Sequence, residues 1–169
     1  MTVDPLRLAI LTVSDAGSRG ERPDTSGDLI DAWARERAYV VADRELVADD
    51  RDRIRRHLTS LADGGDVDIV LTTGGTGFTA SDVTPEATRA VVERDAPGIA
   101  EALRIAGAAA TPSAWLSRGV AGIRARTLIV NLPGSPSGVE DGLRVLAGFV
   151  DHAVQLLRGR DTHRHPDHG

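Results

Sequence analysis

Several short stretches of this chain carry residue types able to handle a phosphorylated ligand. Gly74-Gly75-Thr76-Gly77 offers consecutive backbone N–H groups and a hydroxyl, the makings of an anion nest. It is not a Walker loop, which needs a lysine, and it is not the GxGxxG of a dinucleotide fold. A tight strand-to-loop turn would use the same residues. A helix opening at Thr84 would direct free N–H groups toward the same anion. Asp49 and Asp82 stand on separate segments, and two carboxylates beside a phosphate suit Mg²⁺, which takes hard oxygen ligands and offsets their repulsion. Each acid also has a structural use, Asp49 or its neighbour Asp50 as a helix cap and Asp82 as a turn residue. Arg118, after Ser117, can fork onto a phosphate or belong to the arginine-rich surface. Ser14-Asp15 and Pro133-Gly134-Ser135 complete the set.

Composition narrows the chemistry. The chain has 169 residues and no cysteine, so disulfides, thiolate metal sites and cysteine nucleophiles are excluded. All 20 basic residues are arginine, which excludes a Schiff-base lysine. Phosphate handling falls to arginine, backbone amides or a metal. A net charge of -5 and 3% aromatic residues argue against a nucleic-acid partner. No apolar run is long enough to span a membrane, and Met1 to Pro5 lacks the basic start of a secretory signal, so a cytoplasmic location is expected. His163, His165 and His168 form an HxHxxH tail that reads as a solvated terminus rather than a metal site. No GxSxG nucleophile elbow is present.

The elements that must position these residues follow from hydrophobic pattern. Leu6 to Val13, Asp68 to Thr73 and Thr127 to Leu132 are near-continuous apolar runs, predicted to be strands buried on both faces. Tyr39 to Val47 is less apolar and predicted to lie nearer an edge. Ser14 to Thr25 reads as a loop. Helices are expected after Thr25 or Ser26, from Asp49 or Asp50 to Gly64-Gly65, and from a Thr84 cap with Pro85 at the first position. A broken helical segment is expected around Pro97-Gly98, and one long helix from Val139 to Leu157. Strands alternating with helices predict a single three-layer α/β domain over residues 1–160, with a mostly parallel sheet, helices on both faces, and a polar, flexible tail at 161–169. Ligands of such sheets bind beyond the carboxyl ends of the strands, where Ser14-Asp15, Asp49-Asp50, the Gly74–Gly77 run with Asp82, and Pro133-Gly134-Ser135 fall.

Read in order, the blocks resemble a known family. Ile10 to Asp15 with Asp24 to Gly27, Leu71 to Gly77 with Asp82 to Thr88, Leu116 to Arg118 with Ala121 to Arg124, and Leu128 to Ser135 are similar to the molybdenum-cofactor biosynthesis proteins of the Mog/MoaB type, which include the gephyrin G domain. The resemblance runs from about Leu6 to Arg158. It implies a molybdopterin adenylyltransferase, which moves AMP from ATP to the terminal phosphate of molybdopterin with Mg²⁺ and releases pyrophosphate. It implies Asp49 and Asp82 as catalytic and metal-holding acids, and Gly74, Gly75, Thr76, Gly77, Ser14 and Asp15 at the nucleotide, with Ser26 bordering the same pocket. Ser117, Arg118, Pro133, Gly134 and Ser135 would meet the pterin. It further implies a homotrimer and the downstream molybdate-insertion protein as a partner. The alternative within the family is a molybdopterin-binding protein of the MoaB branch without transfer activity; Asp82-Val-Thr-Pro favours the Mog side. One departure is Ser81, where relatives often carry arginine before the aspartate.

Overall fold

The apolar runs become the sheet. In the computed structural model, residues 4–159 are described; the tail at 161–169, with its three histidines, lies outside them. Six strands form one sheet in the order β2-β1-β3-β6-β5-β4: β1 (Arg7–Val13), β2 (Val40–Val47), β3 (Ile69–Thr73), β4 (Arg94–Asp95), β5 (Ala121–Arg124) and β6 (Thr127–Leu132). β2, β1, β3 and β6 are mutually parallel. β3 and β6 are buried at every position, as continuous apolar runs require when helices cover both faces. β2 is half exposed and occupies the edge, as its weaker pattern predicts.

Alternate residues of the central strands feed two cores. Leu8, Ile10, Leu71 and Val130 face α2 (Thr25–Glu36), α6 (Pro136–Ala147) and α7 (Val150–Leu157). Ala9, Leu11, Val70 and Ile129 face α3 (Arg51–Asp63) and the α4 (Thr84–Arg89) region through Ile54, Leu58, Ala87 and Val91. The helix α5 (Pro97–Ala110) adds Ile99 and Leu103 to the first core. The three-layer α/β reading therefore holds.

Several local expectations shift. The loop after β1 contains a single-turn helix α1 (Asp15–Ser18), because the Ser14 hydroxyl accepts from the Gly17 N–H and caps it. Asp24, not Thr25 or Ser26, caps α2, its carboxylate accepting from the Gly27 N–H at 3.0 Å. Pro97 begins α5 rather than breaking a helix, since proline needs no N–H partner in the first turn. The expected long C-terminal helix is two, α6 and α7, separated at Gly148-Phe149. β4 and β5, antiparallel to each other, were not expected; they are two and four residues long and lack an apolar run to announce them.

One topological feature sets the position of the site. From β1 the chain runs through α2 to β2 on one side, then returns through α3 to β3 on the other side of β1. Between β1 and β3 the order reverses, and a crevice opens beyond their carboxyl ends.

Candidate active site

The crevice is lined by the ends of β1, β3 and β6. The chain turns sharply after β3, with Gly74 at φ 95° and Gly75 at φ 68°, angles that glycine alone adopts freely. A side chain at Gly74 would strike the Val13 carbonyl, so the loop is pressed against the end of β1. The hydroxyl of Thr84 donates to the Gly74 carbonyl at 3.0 Å; Val83 therefore takes the cap position of α4 and Thr84 becomes its first residue. Thr73 donates to the Pro133 carbonyl at 2.6 Å and Ser26 to the Gly134 carbonyl at 2.8 Å, drawing the loop after β6 to the same rim.

The choice between Asp49 and Asp50 is decided by hydrogen bonding. Asp50 caps α3, accepting from the Arg53 N–H at 3.0 Å. Asp49 instead exchanges bonds with Asp15: the Asp15 N–H donates to Asp49 Oδ2 at 3.1 Å and the Asp49 N–H donates to Asp15 Oδ1 at 2.9 Å. This reciprocal pair turns Asp49 toward the glycines, where a Cβ at Gly75 would lie 3.1 Å from Asp49 Oδ1. Asp82 is held by a tight turn, its Oδ2 accepting from the Thr79 N–H at 2.9 Å and the Thr79 hydroxyl at 2.8 Å. A Cβ at Gly77 would lie 2.8 Å from that oxygen. Burial, then the neighbouring Asp15 charge, push the Asp49 carboxyl above the ordinary aspartate range; the Asp15 N–H partly opposes this, and Asp82 adds to it.

Two cavities adjoin at this point. The first, of about 540 Å³, lies between the glycine loop, α5 and α6 and is lined by Thr76, Gly77, Arg104, Ser117, Asn131 and Pro133, among others. The second, of about 500 Å³, lies over the ends of β1 and β2 and is lined by Ser14, Arg22, Asp24, Ser26, Asp49 and Gly74, among others. Gly75, Asp82, Gly134 and Ser135 line both. The structure thus brings together the predicted residues Ser14, Asp49, Gly74 to Gly77, Asp82, Ser117 and Pro133 to Ser135. Asp15 stands behind Asp49 as its brace. Arg118 is turned away from both cavities and donates to the Gly77 carbonyl, the Asp82 carbonyl and the Glu86 carboxylate.

The acids suit a hard divalent cation. Among the described residues no three His, Cys, Asp or Glu side chains form a complete cage. Mg²⁺ does not need one, because it is commonly held by one or two carboxylates and completed by substrate phosphates and water. Asp49 and Asp82 both line the second cavity and are two carboxylates that could supply such a partial set.

Comparison with known proteins identifies the family and the fold. The family described as "Probable molybdopterin binding domain" matches residues 9–152. The chain belongs to this molybdopterin-binding family. It is 37% identical over 158 residues to a molybdopterin adenylyltransferase of Helicobacter pylori, covering 91% of this chain and 89% of that one. The molybdopterin biosynthesis enzyme MoaB of Thermus thermophilus superposes with a TM-score of 0.86 at 47% identity, covering 92% and 98% of the two chains. The Mog protein of Mycobacterium ulcerans does so with a TM-score of 0.85 at 41% identity, covering 90% and 99%. Both branches of the Mog/MoaB family therefore share this fold. Within it, sequence reading alone passed over Arg22, Asp24, Arg104 and Asn131 as site residues. Asn131 had a signal, being the one amide within an apolar strand run: it donates to the buried hydroxyls of Thr72 and Thr88, both at 3.0 Å. Arg22 and Arg104 had none, since nothing local sets them apart from the chain's other arginines.

Proposed function

We propose that this protein is a Mg²⁺-dependent molybdopterin adenylyltransferase of molybdenum-cofactor biosynthesis. The observation that carries the reading is the junction of two cavities at Gly75, Asp82, Gly134 and Ser135, with Asp49 beside it. The activity named for the relatives joins two phosphorylated molecules, and two cavities with a common wall suit that task. The first cavity, larger and more apolar, takes the pterin; the second, over Ser14 and the helix start at Asp24, takes the nucleotide.

In the reaction a terminal phosphate oxygen of molybdopterin bonds to the α-phosphorus of ATP, the bond from that phosphorus to the bridging oxygen breaks, and pyrophosphate leaves. No covalent enzyme intermediate is required, in keeping with a chain that lacks cysteine and lysine. The protein orients the two substrates and stabilises charge. The amides of Gly75 to Gly77 and the Thr76 hydroxyl bind phosphate oxygens at the shared wall. Asp49 and Asp82 would hold Mg²⁺, which neutralises the converging phosphate charges when bound.

Ile105, Trp115 and Leu116 are apolar and more than half exposed, which supports the homotrimer that the family resemblance implies. A cytoplasmic site of action fits a chain in which no described helix is long and apolar enough to cross a membrane.

The test is incubation of purified protein with ATP, Mg²⁺ and molybdopterin, followed by chromatography. Adenylyl-molybdopterin and pyrophosphate are expected in equal amounts, and chelation of Mg²⁺ should stop their formation. Pterin binding without product would favour the non-catalytic alternative.

A further inference from the structure

The segment that carries Asp82 has little to hold it. Phe78 to Ser81 are exposed, Phe78 to 69%, so this turn has no apolar anchor. Its internal bonds are short-range, between Thr79 and Asp82 and between the Thr79 and Ser81 hydroxyls at 3.1 Å. The external grip comes from Arg118. Nε donates to the Gly77 carbonyl at 2.7 Å and Nη2 to the Asp82 carbonyl at 2.8 Å, the two ends of the turn. Nη1 donates to the Glu86 carboxylate, which fixes the guanidinium to α4. The Arg118 N–H donates to the Thr76 carbonyl at 2.8 Å, securing the same loop from the backbone.

We propose that Arg118 is a positioning residue for adenylyl transfer, a clamp that spans both ends of the Gly77–Asp82 turn and aims the Asp82 carboxylate and the Thr76–Gly77 amides at the junction of the cavities. This rests on the reading under Proposed function. It replaces the expectation that Arg118 meets the pterin, because each of its three guanidinium nitrogens already serves a protein acceptor. A planar fork is needed for the two carbonyls and the carboxylate together; a lysine ammonium, a point donor on a flexible stem, cannot span them.

Two measurements on Arg118→Ala and Arg118→Lys test the clamp. In the substrate-free protein, hydrogen exchange at the Thr79 and Asp82 amides should quicken by about tenfold in both variants, while β3 amides keep their rates. In steady-state assays kcat should fall on the order of a hundredfold, as expected when a catalytic carboxylate is misaimed. KM for ATP and for molybdopterin should stay within about twofold. Ethylguanidinium should restore part of kcat to Arg118→Ala; ethylammonium should not. Wild-type exchange rates in both variants would overturn the clamp. So would a raised KM with unchanged kcat, which would make Arg118 a substrate ligand. Wild-type protein that forms no adenylyl-molybdopterin would bring down the functional reading; faster exchange in the variants would still support the clamp, and unchanged exchange would overturn it.

Discussion

Asp49 is partly buried and sits beside two other acids; burial first, then the charges of Asp15 and Asp82, raise the free energy of its charged form. That arrangement disfavours folding while the carboxylate is charged. The sign follows from the raised carboxyl: above its own titration the folded state carries the penalty, and protonation relieves it. Asp49→Asn keeps the acceptor for the Asp15 N–H and removes the charge. It is expected to raise Tm by a few degrees near neutral pH, with the gain shrinking as pH falls through the carboxylate range, while turnover drops by orders of magnitude. Calorimetry beside the AMP-transfer assay checks both. Asp82→Asn should leave Tm close to wild type, because an amide oxygen can still accept from the Thr79 N–H, yet cut Mg²⁺-dependent transfer by orders of magnitude; unchanged turnover would remove Asp82 from the reaction. Gly75→Ala places a methyl against the Thr84 hydroxyl at a positive φ, and should cost about 1–3 kcal/mol in urea unfolding. At this scale the chemical types were legible in advance, since the Gly74–Gly77 run and the acids that follow apolar strand runs stand out in the linear chain. The partner of each was not: Asp49 and Asp50 are adjacent in the chain, and only the contact with Asp15, 34 residues away, separates their roles.

At the scale of elements, Ser14, Asp49, Gly74 and Pro133 follow the ends of strands, and Asp24 sits where a helix begins. β3 ends at Thr73 and hands directly to the glycines, and α2 begins at a cap that doubles as cavity wall. Asp24 accepts from the Gly27 N–H, the Thr12 hydroxyl at 3.0 Å and Arg44 at 3.1 Å, tying α2 to β1 and β2. The helix α4 contributes Glu86, whose carboxyl is held below the usual glutamate range, chiefly by hydrogen bonding to Arg118. A depressed carboxyl stabilises the fold above its unfolded value of about 4.3, and this contribution is lost as pH falls through the folded value. Glu86→Gln should therefore lower Tm near neutral pH, and the gap from wild type should close on acidification below pH about 4; a gap independent of pH would deny the ion pair its role. Long buried strands were readable because both their faces are apolar. The antiparallel pair β4 and β5 was not, because strands of two and four residues carry too few side chains to show a period. The break between α6 and α7 escaped for a related reason: Val139 to Leu157 keeps one apolar stripe across it.

For the molecule as a whole, the site end and the opposite end of the sheet do different work. At the far end Arg158 donates to Asp68 and to the carbonyls of Asp4 and Pro5, fastening α7 to the start of β1 and the approach to β3. Arg158→Ala leaves Asp68 without its guanidinium partner, and should cost about 1–3 kcal/mol. It should lower Tm while kcat stays at the wild-type value, since no residue of the two cavities is touched. Thermal unfolding and the transfer assay on the same sample separate the two effects. The sequence by itself determined a three-layer α/β molecule, the absence of thiol and lysine chemistry, and the family, because apolar period, composition and ordered motif blocks are all properties of the linear chain. Tertiary structure alone decided which acid faces the cleft, that Arg118 hydrogen-bonds both ends of the Gly77–Asp82 turn, and that two cavities share one wall. Those outcomes depend on strands reversing order between β1 and β3, which brings together atoms that the chain keeps scores of residues apart.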